Sequence, residues 1–459
     1  MVERRTLEVN GKAASVFGIR GPDGKQGLVL GPDERFAFAL ENRAGEPTLV
    51  HWHGLTPPPS QDGVLDTGYE GPIADGATKD YDFAARPGTH WMHSHLGLQE
   101  QILLAAPLIV RSAEDLALDA QEATVLLHDF SFKDPTELLR AIAGDAATEH
   151  GPMDMPSAYC GPMPPAQSPM RPDAMPMRRG PVEDTALNDI DYDAYLANDR
   201  TLDDPLVLRT ERNGRVRLRV INAASGTNFW IGLGGAPGQD STEAKVIAAD
   251  GNPVKEVLGR SFPLAQGQRL DILVDVPAGA VVPVIAQREG DRARTGIVLA
   301  APGAPVVKIA SLADTIAVAI DLSLEAKLEA LAPLPAKKTD TRRKVALAGT
   351  MEPYLWTIND RLWSSHKGIR VQRGQRVVME MTNSSLMAHS MHLHGHCFQV
   401  IALDGKPLAG AMRDTVLVPA LGSVTIAFDA DNLGRWLFHC HNLWHMATGM
   451  MTEVVYKYA

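Results

Sequence analysis

Long apolar runs are missing from this sequence: no window of roughly eighteen apolar residues occurs in its 459, which excludes a conventional membrane-spanning helix. Positive charge is the minority sign, 44 Lys and Arg against 55 Asp and Glu. The net charge of −11 speaks against nucleic acid as a partner and mildly favours cationic ligands. Aromatic residues make up only 6%. Cysteine is scarcer still, with Cys160, Cys397 and Cys440 alone, so at most one disulfide can form. We expect no leader peptide at the start of this sequence, since Met1-Val-Glu-Arg-Arg runs straight into Leu7-Glu-Val-Asn-Gly, which reads as a strand and turn; either a leader was removed or the protein works where it is made.

What the sequence has instead is length and clustered histidine. Its 459 residues suit about three domains, each able to bury its own core. Ten of the fifteen histidines fall into four short clusters: His51 and His53; His93 and His95; His389, His392 and His394; and His439, His441 and His445. One His-x-His pair is as readily structural as functional. Four of them, all compatible with strand ends, make a metal protein.

The last cluster organises the rest. Trp436-Leu-Phe438 after Gly434 reads as a strand running into His439-Cys440-His441. Alternate side chains of a strand face opposite ways, so His439 and His441 point to one side and Cys440 to the other. One tripeptide thus serves two sites. On the Cys440 side, His445 and Met450 follow at ligand spacing, and thiolate, imidazole and a weak thioether are the donor set of a blue-copper electron-transfer centre. A second imidazole must come from elsewhere.

An internal repeat runs through the sequence. Arg35 to Asn42, Arg215 to Asn222 and Arg376 to Asn383 are alternating strands with Arg and Asn seven residues apart. Nine and eleven residues beyond the Asn, the first copy has His51 and His53 and the third has His392 and His394, where the second has Ile231 and Leu233. The middle unit therefore has the fold without the metal. The segment Gly88 to His95 likewise aligns with Gly434 to His441. In that register the first unit sets Thr48, Ser94, Gln99 and Leu104 against His389, Cys440, His445 and Met450, so the mononuclear site belongs to the third unit alone. The paired histidines of units one and three must then meet across an interface.

With these four motifs the sequence resembles the three-domain multicopper oxidases, the group of laccases, bacterial cuprous oxidases, bilirubin oxidases and ferroxidases, over nearly its whole length. Short alternating strands and turns such as Asp23-Gly24 and Asp404-Gly405 agree with an all-β chain of three consecutive cupredoxin-like Greek-key β-sandwiches. We expect domains at 1–115, 116–305 and 345–459, with a connecting segment at 306–344 in which Leu322 to Leu331 reads as a helix.

The resemblance implies four copper ions. A type 1 ion would be held by His389, Cys440 and His445 with Met450 axial. His51 and His392 would hold the type 2 ion, and His53, His93, His441 and His95, His394, His439 the type 3 pair. Asp62 resembles the family's proton-relay acid. Many bacterial members carry a carboxylate immediately after the second type 1 histidine, and here Met446 stands there, leaving water or Glu100 for a second proton route. The implied reaction takes single electrons from a reducing substrate at the type 1 ion and reduces O2 to water at the other three. The reductant is a phenol or aromatic amine, as in laccases, or alternatively Cu(I) in a copper-tolerance role. The family's copper chemistry also implies a periplasmic or secreted protein, and a non-catalytic scaffold or electron carrier is disfavoured by the complete ligand set.

Several features lie outside that pattern. Residues 151–180 hold six methionines among eight prolines, which excludes a helix or central strand; thioethers suit Cu(I), so this loop either gathers cuprous ion or is a flap. Cys160 and Cys397 form a disulfide or stay as isolated thiols. His90, His128, His150, His366 and His396 read as satisfied histidines, with His90 and His396 nearest the ligands. Arg413-Asp414-Thr415 and Asp191 to Tyr195 read as structural turns and strand pairs.

Overall fold

A computed structural model describes residues 1–144, 187–234 and 241–457. These form three pairs of facing sheets. In the first pair, Lys12–Ile19, Val2–Val9, Arg35–Arg43 and Thr78–Ala84 make one sheet, and Leu28–Leu30, Ala105–Val110, Gly88–Ser94 and Val50–His53 the other. The middle pair has six and five strands and the third has seven and five. The protein is thus all-β, built of consecutive cupredoxin-like sandwiches. No described helix is long and apolar enough to cross a membrane.

The repeated Arg and Asn have the same physical reason in all three units. Each Arg opens an inner strand and pairs with an Asp on the antiparallel neighbour: Arg35 with Asp82, Arg215 with Asp275 and Arg376 with Asp429. Each Asn closes that strand and pins the loop that follows. The side chains of Asn42, Asn222 and Asn383 accept from the backbone N–H two residues on and donate to carbonyls of the same and the opposing loop. All three are buried, so the paired amide removes what would otherwise be several unsatisfied backbone groups. The loops so fixed lead into the histidine strands.

Register aligns those strands. His51 lies opposite His93 in the first unit, and His392 opposite His439 in the third, with Met391 opposite Cys440. In the middle unit Ile231 and Leu233 occupy the equivalent strand and are buried in an apolar core.

The connecting segment departs from expectation. Leu322 to Leu331 is not a helix: only a turn forms, closed by Ala326 and Leu328 N–H groups donating to Leu322 and Leu324 carbonyls. Leu324 and Leu328 bury against the middle core while Ala330 bridges to Val254, so packing draws the chain out of the helical path before it can propagate. Cys397 has no disulfide partner among the described residues. Cys160, His150 and the methionine-rich stretch lie outside them.

Candidate metal centres

Among the described residues, five groups of buried donors converge. His389, Cys440 and His445 form one; His51, His53 and His392, then His53, His93 and His441, then His95, His394 and His439, and finally His51, Asp62 and His394 form the others. In each, one ligand atom per residue lies within 4.8 Å of the rest. Every histidine predicted from the sequence is therefore brought to one of two places.

The first place is inside the third sandwich. Cys440 Sγ lies 3.8 Å from His389 Nδ1 and 3.6 Å from His445 Nδ1, and the two nitrogens are 3.1 Å apart. Donors about 2.0–2.3 Å from one ion would be separated by roughly these distances. Met450 is fully buried in the same core, with its N–H donating to the His445 carbonyl and its carbonyl accepting from Cys440 N–H. His445 is carried by a short helix, Leu443–Ala447, which Asn442 caps by accepting from the N–H groups of Trp444 and His445. The Asn442 amide also donates to Asp189 Oδ2 at 2.7 Å, and Tyr354 donates its hydroxyl to Asp189 Oδ1 at 2.7 Å. Asp189 Oδ2 is thereby held 3.4 Å from the outward nitrogen, Nε2, of His445. Burial opposes charge on His445, yet Asp189 and Cys440 lift its pKa to about 9.

The first unit shows how the same scaffold does without such a centre. Thr48 and Ser94 hydroxyls both donate to Gln99 Oε1, at 2.9 and 2.8 Å, and the Gln99 amide donates to Glu46 and Pro47. A closed hydrogen-bond network occupies the positions of the ligands.

The second place is the seam between the first and third sandwiches, where eight imidazoles meet. His394 Nε2 and His95 Nε2 lie 3.0 and 3.5 Å from His439 Nε2. Burial, reinforced by neighbouring imidazoles, holds His53, His93, His95, His392, His394 and His441 well below the ordinary 6.5, so these rings are neutral and offer lone pairs. Burial pulls His439 to about 4.

Most of the outer nitrogens are committed. Those of His51 and His392 meet the Asp62 and Asp414 carbonyls at 2.8 and 2.9 Å, and that of His394 meets Asp62 Oδ2 at 2.9 Å. His93 Nδ1 meets Glu100 Oε2 at 2.8 Å. His53 is reversed: its Nε2 meets Asp414 Oδ1 and Thr415 Oγ1, at 3.1 and 3.0 Å. The inner nitrogens, His51 Nε2, His53 Nδ1, His93 Nε2 and His392 Nε2, are buried without a hydrogen-bond partner, as are both nitrogens of His441. Each such group costs about 1–3 kcal/mol if left unmade. Neutral imidazoles aimed inward at one space, with their outer edges anchored, fit a cluster of metal ions, and nitrogen with one thiolate fits copper.

Asp62 follows the single turn Pro59–Gln61 and precedes Gly63, whose φ is +77° and where a Cβ would fall 1.8 Å from the Val50 carbonyl oxygen. Only glycine permits the loop to lie so close against the His51 strand. Asp62 Oδ1, 3.3 Å from His51 Nδ1, makes no hydrogen bond of its own.

Three residues escaped the sequence reading. Asp414, taken there as part of a structural turn, touches both His53 and His392. Asp189 carries no local motif. Asn442 could have been recognised as a helix cap beside the ligands. Of the remaining histidines, His396 bridges the His394 carbonyl and the Tyr456 hydroxyl, and His128 meets the Ala223 carbonyl. His90 is fully buried against Arg86 and makes no contact with a ligand nitrogen.

Family profiles described as multicopper oxidase match residues 2–115 and 337–458. The multicopper oxidase MmcO of Mycobacterium tuberculosis is 30% identical over 433 residues, covering 92% of this chain and 79% of that protein. A copper resistance protein A homolog of Pseudomonas syringae pv. tomato is 23% identical, with coverage of 98% and 90%. Among solved structures, Fet3p, a multicopper oxidase that functions in iron import, superposes with a TM-score of 0.76 at 18% identity, covering 99% of this chain and 89% of that one. A laccase from Botrytis aclada gives 0.73 at 22% identity, with coverage of 99% and 86%.

Proposed function

The chain belongs to the multicopper oxidase family, and on that premise we propose that it oxidises a small reductant one electron at a time beside His445 and reduces dioxygen to water at the seam of the outer sandwiches. Four reductants each lose one electron, and O2 takes up those electrons with four protons to give two waters. The observation that carries this reading is the sharing of one strand, Arg435–Cys440, between the cysteine centre and the imidazole cluster.

His389, Cys440 and His445 would hold one copper ion with Met450 axial, His51 and His392 a second, and the triads His53, His93, His441 and His95, His394, His439 the remaining two. Bound there, the ions supply one-electron acceptance at the first place and oxygen binding and reduction at the second. The protein's own part is binding and proton management. Asp62 can carry a proton on Oδ1 toward the cluster while Oδ2 stays engaged with His394. Glu100, its Oε1 4.0 Å from His441 Nδ1, is a second carboxylate at the cluster and compensates for Met446.

Asp189 favours a cationic reductant. Its carboxylate and the His445 ring are almost wholly buried, at 1% and 0% exposure. A small cation can be held by that fixed carboxylate, which the His445 Nε2–H faces, whereas a bulky phenol has little room at so buried a position. We therefore assign Cu(I), as a metal-ion substrate, ahead of phenols and aromatic amines, reversing the order that the sequence suggests. Laccase-like oxidation stands second, because the same carboxylate can accept a phenolic proton. Export to the periplasm or cell exterior belongs to either reading. Steady-state kinetics on Cu(I) and on a bulky phenol, side by side, test it: a much higher kcat/KM for Cu(I) supports the assignment, and a preference for the phenol overturns it.

A further inference from the structure

Among its described residues the middle sandwich gives no histidine to the imidazole cluster, yet one of its side chains reaches the seam. Arg269 opens the strand Arg269–Val276 and is completely buried. Its two terminal nitrogens donate to Asp414 Oδ1 and Oδ2, both at 2.6 Å, in a parallel fork. Its Nε donates to the Thr89 carbonyl at 3.1 Å, on the strand of the first unit that carries His93. One guanidinium thus ties all three sandwiches together.

What it ties is the outer edge of the cluster. Asp414 Oδ1 faces His53 Nε2, and the Asp414 carbonyl faces His392 Nδ1. Thr415 Oγ1, donating to Asp414 Oδ1 at 2.9 Å, lies 3.0 and 3.1 Å from the same two nitrogens. The backbone has been cleared for this contact. A Cβ on Gly54, directly after His53, would fall 2.4 Å from Arg269 Nη2, and a Cβ on Gly267 would fall 2.7 Å from His441 Cδ2 and 3.2 Å from His53 Cε1. Both glycines have left-handed φ, +93° and +77°. Asp250, accepting from Arg269 N–H at 2.9 Å and paired with Arg413 at 3.3 Å, fixes the base of the arginine.

We propose that Arg269 is a positioning residue of the trinuclear centre: by clamping Asp414 it fixes which nitrogens His53 and His392 present inward, so that the middle domain sets the geometry of a site whose ligands come from the other two. Removing a partner that orients a ligating histidine typically weakens metal affinity roughly 10- to 100-fold. A lysine cannot replace the fork, because it offers a point charge in place of two parallel donors.

This inference rests on the four-copper reading, and the test separates the two. Fully loaded wild type, Arg269→Lys and Arg269→Met would be compared for copper content after chelator dialysis, electron paramagnetic resonance of the type 2 ion, and blue colour. Wild type retaining fewer than four coppers or lacking a type 2 signal defeats the underlying reading. With wild type as expected, the proposal requires that Arg269→Lys, which keeps the buried charge paired, show a displaced type 2 signal and at least tenfold easier loss of copper, with the blue colour intact. Arg269→Met should lose type 2 copper outright. If it does not fold, the lysine variant decides. A lysine variant with native signal and retention overturns the proposal, as does one whose blue colour fails together with the other ions.

Discussion

Cys440 and His439 are adjacent on one strand, yet they serve different centres. Cys440 Sγ lies 3.6 Å from His445 Nδ1, while His439 Nε2 lies 3.0 Å from His394 Nε2. Strand alternation makes this unavoidable, and it puts a single peptide between the cysteine centre and the imidazole cluster.

The first prediction uses that separation. Cys440→Ser should abolish the blue colour and Cu(I) oxidation while the seam keeps its three coppers, since serine conserves volume in a fully buried position. Visible spectra with copper analysis check this, and loss of all copper contradicts it.

Asp62→Asn keeps the hydrogen bond to His394 and removes the transferable proton. Reoxidation of the reduced enzyme by O2 should slow by roughly a hundredfold or more, the range for a lost general acid. Anaerobic bleaching of the blue colour by reductant should be unchanged. Stopped-flow measurement of the two half-reactions distinguishes a proton relay from a structural acid.

Asp189→Asn retains the contacts to Tyr354 and Asn442 in outline but discards the charge next to His445. KM for Cu(I) should rise roughly tenfold, as a charge-assisted contact becomes a neutral one. KM for a bulky phenol should move less. Equal effects on both would remove the case for a cation site there.

Glu289 gives a pH prediction away from the metals. Burial raises its pKa to about 7 from the ordinary 4.5, against the N–H of Ile320 and the Asn228 amide that hydrogen-bond it. An acid whose pKa is higher in the folded protein binds its proton more tightly there. Stability from this group is therefore fully present below pH 4.5 and is lost as pH rises toward 7, by ~3 kcal/mol at about 1.4 kcal/mol per unit. Glu289→Gln should flatten the denaturation midpoint across that window. An unchanged slope rejects the assignment.

The sequence made the converging histidines legible because alternation, spacing and repetition are local properties. His51, His53, His392 and His394 stand at fixed offsets from Asn42 and Asn383, and those asparagines hold their loops by the same hydrogen bonds in each unit. The residues that anchor those histidines were hidden because their partners are distant. Asp414 meets His53 across 361 positions and Asp189 lies 256 before His445, so no window of sequence contains either contact. Leu322 to Leu331 shows the opposite failure: its helical pattern is real, but Leu324, Leu328 and Ala330 are claimed by the middle unit.

Copper analysis of Cys440→Ser beside the wild type, both fully loaded, bears most directly on the coupling of two centres through one strand. The account predicts four coppers in the wild type and three in the variant, with the colour lost and the type 2 signal unchanged. A wild type with fewer than four, or a variant whose type 2 signal collapses with its colour, would contradict it.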